Sequence, residues 1–109
     1  MDTKTPLKEI KVRFGEVNIG NINLLKLLND TTLAVKYGES FYRKMLTYND
    51  YTALAYLNGL LVGAIACRVE PYEDDPKTLY ILTFNVLKPY RKYKIGKELF
   101  FFCDFKVLN

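Results

Sequence analysis

The sequence has no histidine, and only two cysteines and four prolines among its 109 residues. Without histidine the commonest general base and the commonest metal ligand are both missing. The cysteines, Cys67 and Cys103, are too few for a disulfide scaffold or a thiolate zinc site. No metal is therefore expected, and any chemistry must come from tyrosine, cysteine, carboxylates, water or the backbone. The charge-free stretch 51–67 is too short to span a bilayer and is broken by Asn58-Gly59. The opening MDTKTPLKEIK has no apolar core of signal-peptide length. These absences predict a reducing compartment, cytoplasm or nucleus, and no membrane.

What is present suffices for one core. Half of the residues are hydrophobic and 15% are aromatic, so burial can offset chain entropy. The chain is shorter than a typical domain of about 150 residues, which predicts a single domain over 1–109. Residues 1–87 carry ten Lys/Arg and ten Asp/Glu. Residues 88–109 carry six cations (Lys88, Arg91, Lys92, Lys94, Lys97, Lys106) against Glu98 and Asp104. The whole net charge of +4 thus lies in the last 22 residues, pointing to an anionic ligand there: phosphate, nucleic acid or acidic lipid.

From Lys8 to Val17, Ile10, Val12 and Phe14 alternate with Lys11 and Arg13, which predicts a strand with a bulge or close approach at Gly15 near its end. Ile22, Leu25, Leu28 and Leu24, Leu27, Leu28 recur at helical spacing behind Asn21, a candidate cap. FYRKML after Ser40 predicts a second short helix. YTALAYL and LLVGAIAC, joined by Asn58-Gly59, predict a β-hairpin with a type I′ turn. PYEDDP, residues 71–76, reads as a loop, and LYILTFNVL as a strand buried on both faces. After Pro89 a greasy helix follows, with Ile95, Leu99, Phe102 and Cys103 on one face. Cys67 and Cys103 read as unreactive core residues, and the phenylalanines 100, 101, 102 and 105 as uncovered core or an interface.

Chemistry concentrates where the last strand meets the last helix. Helix N-termini favour anions, yet this one gathers Lys88, Arg91, Lys92, Lys94 and Lys97 around Gly96. A strand, loop and helix aim several N–H donors at one point, which suits a pyrophosphate. A solvated basic helix start beside a chance glycine stands equal to that reading on composition alone.

Taken together, FYRKML, LAYLNGLLVGAIACRVE, LYILTFNVLKPYRKYKIG and the looser INLLKLLNDTTLAVKYGESFY resemble the GNAT acetyltransferase superfamily. Within it they are most similar to the NatE-type, San-like N-terminal acetyltransferase catalytic subunits. The resemblance implies an α+β fold: a GNAT-type mixed sheet with flanking helices, here its N-terminal part (strand, two helices, Asn-Gly hairpin, buried strand, helix). It implies acetyl-CoA as co-substrate and the α-amine of a peptide or protein N-terminus as acceptor. It also allows an auxiliary subunit or self-association as partner.

By the same resemblance, the acetyl-CoA motif Q/R-x-x-G-x-G/A falls on Arg91, Lys92, Tyr93, Lys94, Ile95 and Gly96, whose backbone would hold the pyrophosphate. The strand at Phe84 to Val86 would pair with the pantetheine arm and polarise the thioester carbonyl. Tyr80 matches the catalytic tyrosine, and Leu33, Ala34, Val35 and Tyr37 match the loop around the substrate's first residue. Lys94 stands where the motif has its first glycine, and Leu33-Ala34-Val35 lacks the family's proline. The later strands, with the family's catalytic histidine and substrate-facing tyrosines, would lie beyond Asn109, which implies weak or no turnover at this length. The alternatives are a catalytically incompetent fragment serving as an interaction module, or a nucleic-acid binder using Tyr90 and Tyr93.

Overall fold

The computed structural model describes residues 11–48 and 50–108. Strand β1 (Val12–Gly15) leads to helices α1 (Ile22–Thr32) and α2 (Glu39–Thr47). Strands β2 (Tyr51–Leu57), β3 (Leu60–Tyr72) and β4 (Asp75–Val86) follow, then a 3₁₀ segment (Lys88–Tyr93) and helix α3 (Ile95–Leu108). The four strands lie in the order β1-β2-β3-β4, and every pairing is antiparallel. This is the α+β architecture that the sequence predicts.

The uninterrupted apolar runs of β2 and β3 arise because helices cover both faces of the sheet. Ala53, Ala55, Val62, Ile65 and Cys67 meet Ile95, Leu99 and Cys103 of α3 on one face. Leu54, Leu61, Ala64 and Ala66 meet Leu25, Leu28, Tyr42 and Met45 of α1 and α2 on the other. Each buried Leu or Ile contributes about 1.5–3 kcal/mol of transfer free energy, so this two-sided hairpin is the centre of the fold. Leu57 pairs with Leu60 across Asn58 (φ 52°) and Gly59 (φ 84°), the positive φ at both centres that a type I′ turn requires.

Gly63 of β3 admits the close packing around it. A Cβ there would lie 3.1 Å from Val86 Cγ2 and 3.2 Å from Leu99 Cδ1. Two polar ties secure the ends of the elements. Arg68 donates twice to Asp50, Nε to Oδ1 at 2.8 Å and Nη2 to Oδ2 at 2.7 Å. Lys106 Nζ of α3 donates to the Thr52 carbonyl at 2.9 Å and pairs with Glu16 at 3.0 Å.

Five expectations are corrected. The first strand ends at Gly15, short of Val17, and Lys8 to Ile10 lie outside the described residues. Asn21 stands at the N-cap of α1, but its side chain turns backward: Oδ1 accepts from Asn18 N–H at 2.8 Å and Nδ2 donates to the Glu16 carbonyl at 2.9 Å. Leu24 and Leu27 are exposed, because only the Leu25/Leu28 row of α1 faces the sheet. PYEDDP is mostly strand: Tyr72 pairs with Asp75 around a two-residue turn at Glu73-Asp74. Pro76 is tolerated on an edge strand, and Pro71 sits at a register irregularity. Finally, β4 is not buried on both faces. It is the outermost strand, and Tyr80, Ile81 and Phe84 are exposed.

Candidate functional site

An open cleft of about 340 Å³ follows the outer edge of β4, lined by Thr32, Leu33, Phe84, Asn85, Val86, Arg91 and Gly96. The end of α1 forms one wall and the start of α3 the other. Between them, β4 has no strand on its outer side among the described residues. A strand edge of this kind offers unpaired N–H and C=O groups to an extended ligand.

The α3 wall is built by the chain's change of direction after β4. Pro89 is the second residue of the 3₁₀ segment, in its first turn, where its fixed φ fits and its missing N–H costs nothing. Lys94 then adopts the left-handed conformation, φ 62° and ψ 24°, and α3 begins at the next residue. A residue in that conformation is ordinarily glycine. The amides of Ile95, Gly96 and Lys97 precede the first i→i−4 bond of the helix, Glu98 N–H to the Lys94 carbonyl at 3.3 Å, and so have no partner inside the helix. The basic residues lie mainly on the 3₁₀ segment and not, as the sequence suggests, on the helix itself.

Lys88, Arg91, Lys92, Lys94 and Lys97 are all exposed, and none forms an ion pair among the described residues. Arg91 Nε donates to the Val86 carbonyl at 2.9 Å, which moors the 3₁₀ segment to the end of β4. Packing does not demand a glycine at Gly96, since a Cβ there would sit in ordinary contact, 3.7 Å from Phe84 and Val86. Free helix-start amides, clustered cations and a bare backbone at Gly96 together fit a phosphate-bearing ligand laid along β4.

The opposite wall is polar at its base. Asn85 Nδ2 donates to Asn29 Oδ1 at 3.0 Å and to the Thr32 hydroxyl. Asn29 Nδ2 donates to the Tyr42 hydroxyl at 3.2 Å. Burial pushes the Tyr42 phenol above its ordinary pKa, opposed by its hydrogen bond to Asn29. Asn85 Oδ1 and Thr83 Oγ1 are buried without a hydrogen-bond partner among the described residues. Thr32 and the side chain of Asn85 are cleft features that the sequence reading did not single out, although an asparagine within LYILTFNVL is a visible signal, because a buried amide needs partners.

The remaining expected site residues are spread around this cleft. Leu33, Phe84, Val86, Arg91 and Gly96 line it. Ile95 offers only its backbone, because its side chain is in the core. Tyr93 is half-buried beneath Lys92, whose Nζ lies 5.4 Å from the ring centroid. Ala34 and Val35 are exposed in the segment after α1, and Tyr37 stacks on Phe41 at 4.2 Å. Tyr80, 58% exposed, pairs with Arg68, four residues before Phe84 on β4 and outside the cleft lining.

The order of elements, the two-sided core and a cleft at the edge of β4 that ends on a basic helix start define an α+β domain shaped to lay an extended anionic ligand along a strand edge. Residues 22–103 match the model of the acetyltransferase (GNAT) family. The chain belongs to that family. It is 38% identical over 89 residues to N-alpha-acetyltransferase 50 of Danio rerio, covering 82% of this chain and 52% of the relative. A probable N-acetyltransferase san of Drosophila melanogaster is likewise 38% identical over 89 residues, with 82% and 48% covered. Among solved structures, Arabidopsis thaliana Naa50 in complex with the bisubstrate analogue CoA-Ac-MVNAL superposes with a TM-score of 0.71 at 39% identity. That match covers 82% of this chain and 59% of the plant protein. The chain spans about half the length of the curated relatives it matches.

Proposed function

We propose that this chain binds acetyl-CoA along the outer edge of β4 and transfers the acetyl group to the α-amine of a peptide or protein N-terminus. The observation that carries the reading is the cleft, which joins a strand edge to a helix start whose cations form no ion pair among the described residues. Its support is the 38% identity to an N-alpha-acetyltransferase of fish and a probable N-acetyltransferase of fly.

When bound, acetyl-CoA supplies an activated thioester carbonyl. The amides from Arg91 to Gly96 hold the pyrophosphate, and Lys88, Lys92, Lys94 and Lys97 neutralise it. The backbone at Phe84 to Val86 aligns the pantetheine arm and polarises the carbonyl through its N–H groups. Leu33, Ala34, Val35 and Tyr37 surround the acceptor's first residue. The acceptor amine loses its proton to ordered water near Tyr80 and attacks the thioester carbon; the C–S bond breaks and coenzyme A leaves as the thiol, taking up that proton. A reducing compartment, cytoplasm or nucleus, suits the two unpaired buried thiols. An auxiliary subunit or a second copy would find the exposed Phe101 and Phe105 of α3 available as an apolar surface.

The nucleic-acid reading loses its stacking platform, because Tyr90 and Tyr93 pack partly buried against the α3 core. The interaction-module reading keeps the cleft and lacks turnover. The test is thermal unfolding with acetyl-CoA or with single-stranded DNA, followed by acetylation of a peptide of sequence MVNAL. Stabilisation by acetyl-CoA with peptide acetylation supports the enzyme, and stabilisation without acetylation supports the module. Stabilisation by DNA alone overturns both.

A further inference from the structure

Asn85 occupies a position in β4 where its neighbours Phe84 and Val86 are apolar, yet it is 7% exposed and carries a carboxamide. Both amide hydrogens are used on the last turn of α1, one on Asn29 Oδ1 and one on the Thr32 hydroxyl. The acceptors are themselves fixed. The Thr32 hydroxyl donates to the Leu28 carbonyl at 2.8 Å, so its lone pair faces Asn85. The Asn29 side chain is held from behind by its bond to Tyr42, and its backbone carbonyl accepts the N–H of Leu33 at 2.8 Å. Asn29 therefore links three elements: β4 through Asn85, α2 through Tyr42, and the exit of the helix through Leu33.

The placement of these bonds matters more than their number. Leu33 is the residue at which α1 gives way to extended backbone, with ψ 144°. Thr32, Leu33 and Asn85 all line the cleft. Its α1 wall and its β4 floor come from segments more than 50 residues apart in sequence. Among the described residues, the two bonds from Asn85 are the hydrogen bonds that join α1 to β4. Apolar packing is non-directional and tolerates sliding, whereas a carboxamide with both hydrogens engaged fixes distance and rotation together.

We propose that Asn85 is a positioning residue for acyl transfer: by clamping the last turn of α1 to β4 it sets the gap between Leu33 and the strand edge, across which the acceptor amine approaches. The proposal rests on the reading of the cleft given under Proposed function. Asn85 acts through Asn29, Thr32 and Leu33, and its effect falls on the acceptor side, away from the amides and cations at the start of α3. Misplacement of reacting groups by about 1 Å costs up to about a hundredfold in rate, so a clamp at this point controls catalysis without touching the reacting atoms.

The test compares the full chain with Asn85→Asp, which keeps the shape and loses the donors, and with Asn85→Leu, which fills the space and loses both bonds. Steady-state acetylation of the peptide MVNAL gives kcat and separate KM values for peptide and acetyl-CoA, and hydrogen exchange without ligand follows the amides of residues 33–37. The expected result for both variants is a peptide kcat/KM lowered about tenfold or more, an acetyl-CoA KM changed less than about twofold, and faster exchange at 33–37 with β2 and β3 unchanged. Wild-type kinetics in Asn85→Leu overturns the proposal, because space-filling alone would then suffice. Equal rises in both KM values also overturn it. A wild-type chain that binds no acetyl-CoA, or binds it without acetylating the peptide, refutes the functional reading separately, and exchange at 33–37 that is unaltered by the variants then refutes the clamp. Should Asn85→Asp not fold, Thr32→Val removes one acceptor and is read in the same way.

Discussion

Gly63 on β3 faces Leu99 on α3 so closely that a Cβ at residue 63 would stand 3.2 Å from Leu99 Cδ1, with Val86 Cγ2 and the Asn85 carbonyl at 3.1 and 3.2 Å. The helix that starts at the cleft is thus seated on a bare strand position, and its height above the sheet depends on the missing side chain. Gly63→Ala is expected to lower stability by about 1–3 kcal/mol through overpacking. Chemical denaturation should show a lower midpoint with an unchanged slope, and an unshifted midpoint would mean that α3 yields freely at this point.

Lys94 presents the opposite case, a side chain where a glycine fits better. Its left-handed conformation costs about 1–2 kcal/mol relative to a right-handed one. Glycine removes that cost and adds some unfolded-state entropy. Lys94→Gly is therefore expected to raise stability by up to about 1 kcal/mol, and to change acetyl-CoA affinity if the lysine ammonium reaches phosphate. Calorimetric titration and thermal unfolding check the two effects independently.

Gly96 separates folding from ligand binding. A small side chain meets only ordinary contacts there, and alanine is a better helix former by about 1 kcal/mol. Gly96→Ala should keep or raise the unliganded melting temperature, whereas Gly96→Phe should abolish stabilisation by acetyl-CoA while the fold persists. Undiminished ligand stabilisation in Gly96→Phe would remove the cradle from this position.

The sequence made some of this legible and hid the rest for physical reasons. Asn58-Gly59 announced its hairpin because positive φ at two adjacent residues is a local requirement met by few dipeptides. Ile95, Leu99 and Cys103 announced their face because helical spacing survives without knowledge of what lies opposite. In α1 two rows of leucines compete at the same spacing, and only the position of the sheet decides that Leu25 and Leu28 are buried while Leu24 and Leu27 are not. Pro71 and Pro76 looked like loop punctuation, yet Pro76 lies on the edge strand β4, which has no ladder to lose on its outer side, and Pro71 sits at a register irregularity of β3. Asn85 was unreadable as a clamp because its partners, Asn29 and Thr32, are 56 and 53 residues away.

Alkaline pH tests the buried thiol pair. Hydrogen bonding with Cys103, then burial, pushes the Cys67 thiol above its ordinary value. An acid whose pKa is raised on folding stabilises the fold below its unfolded value, about 8.5, and that stability is lost as pH rises. Above that point the unfolded chain holds fewer protons at Cys67 than the native one, so the slope is negative, at most about 1.4 kcal/mol per pH unit for this group. Unfolding free energies measured from about pH 8 to about pH 10 should fall less steeply in Cys67→Ala than in the parent chain. Parallel curves would mean that other groups set the alkaline limit.

The same pair gives the molecule a built-in clock. Cys67 sits on β3 and Cys103 on α3, both fully shielded, and the chain has no other thiol. An alkylating reagent can reach either sulfur only while the helix stands away from the sheet. Mass gained per minute in a large excess of reagent therefore counts how often α3 lifts, and a cofactor anchored at the helix's first turn should slow that count in proportion to its occupancy.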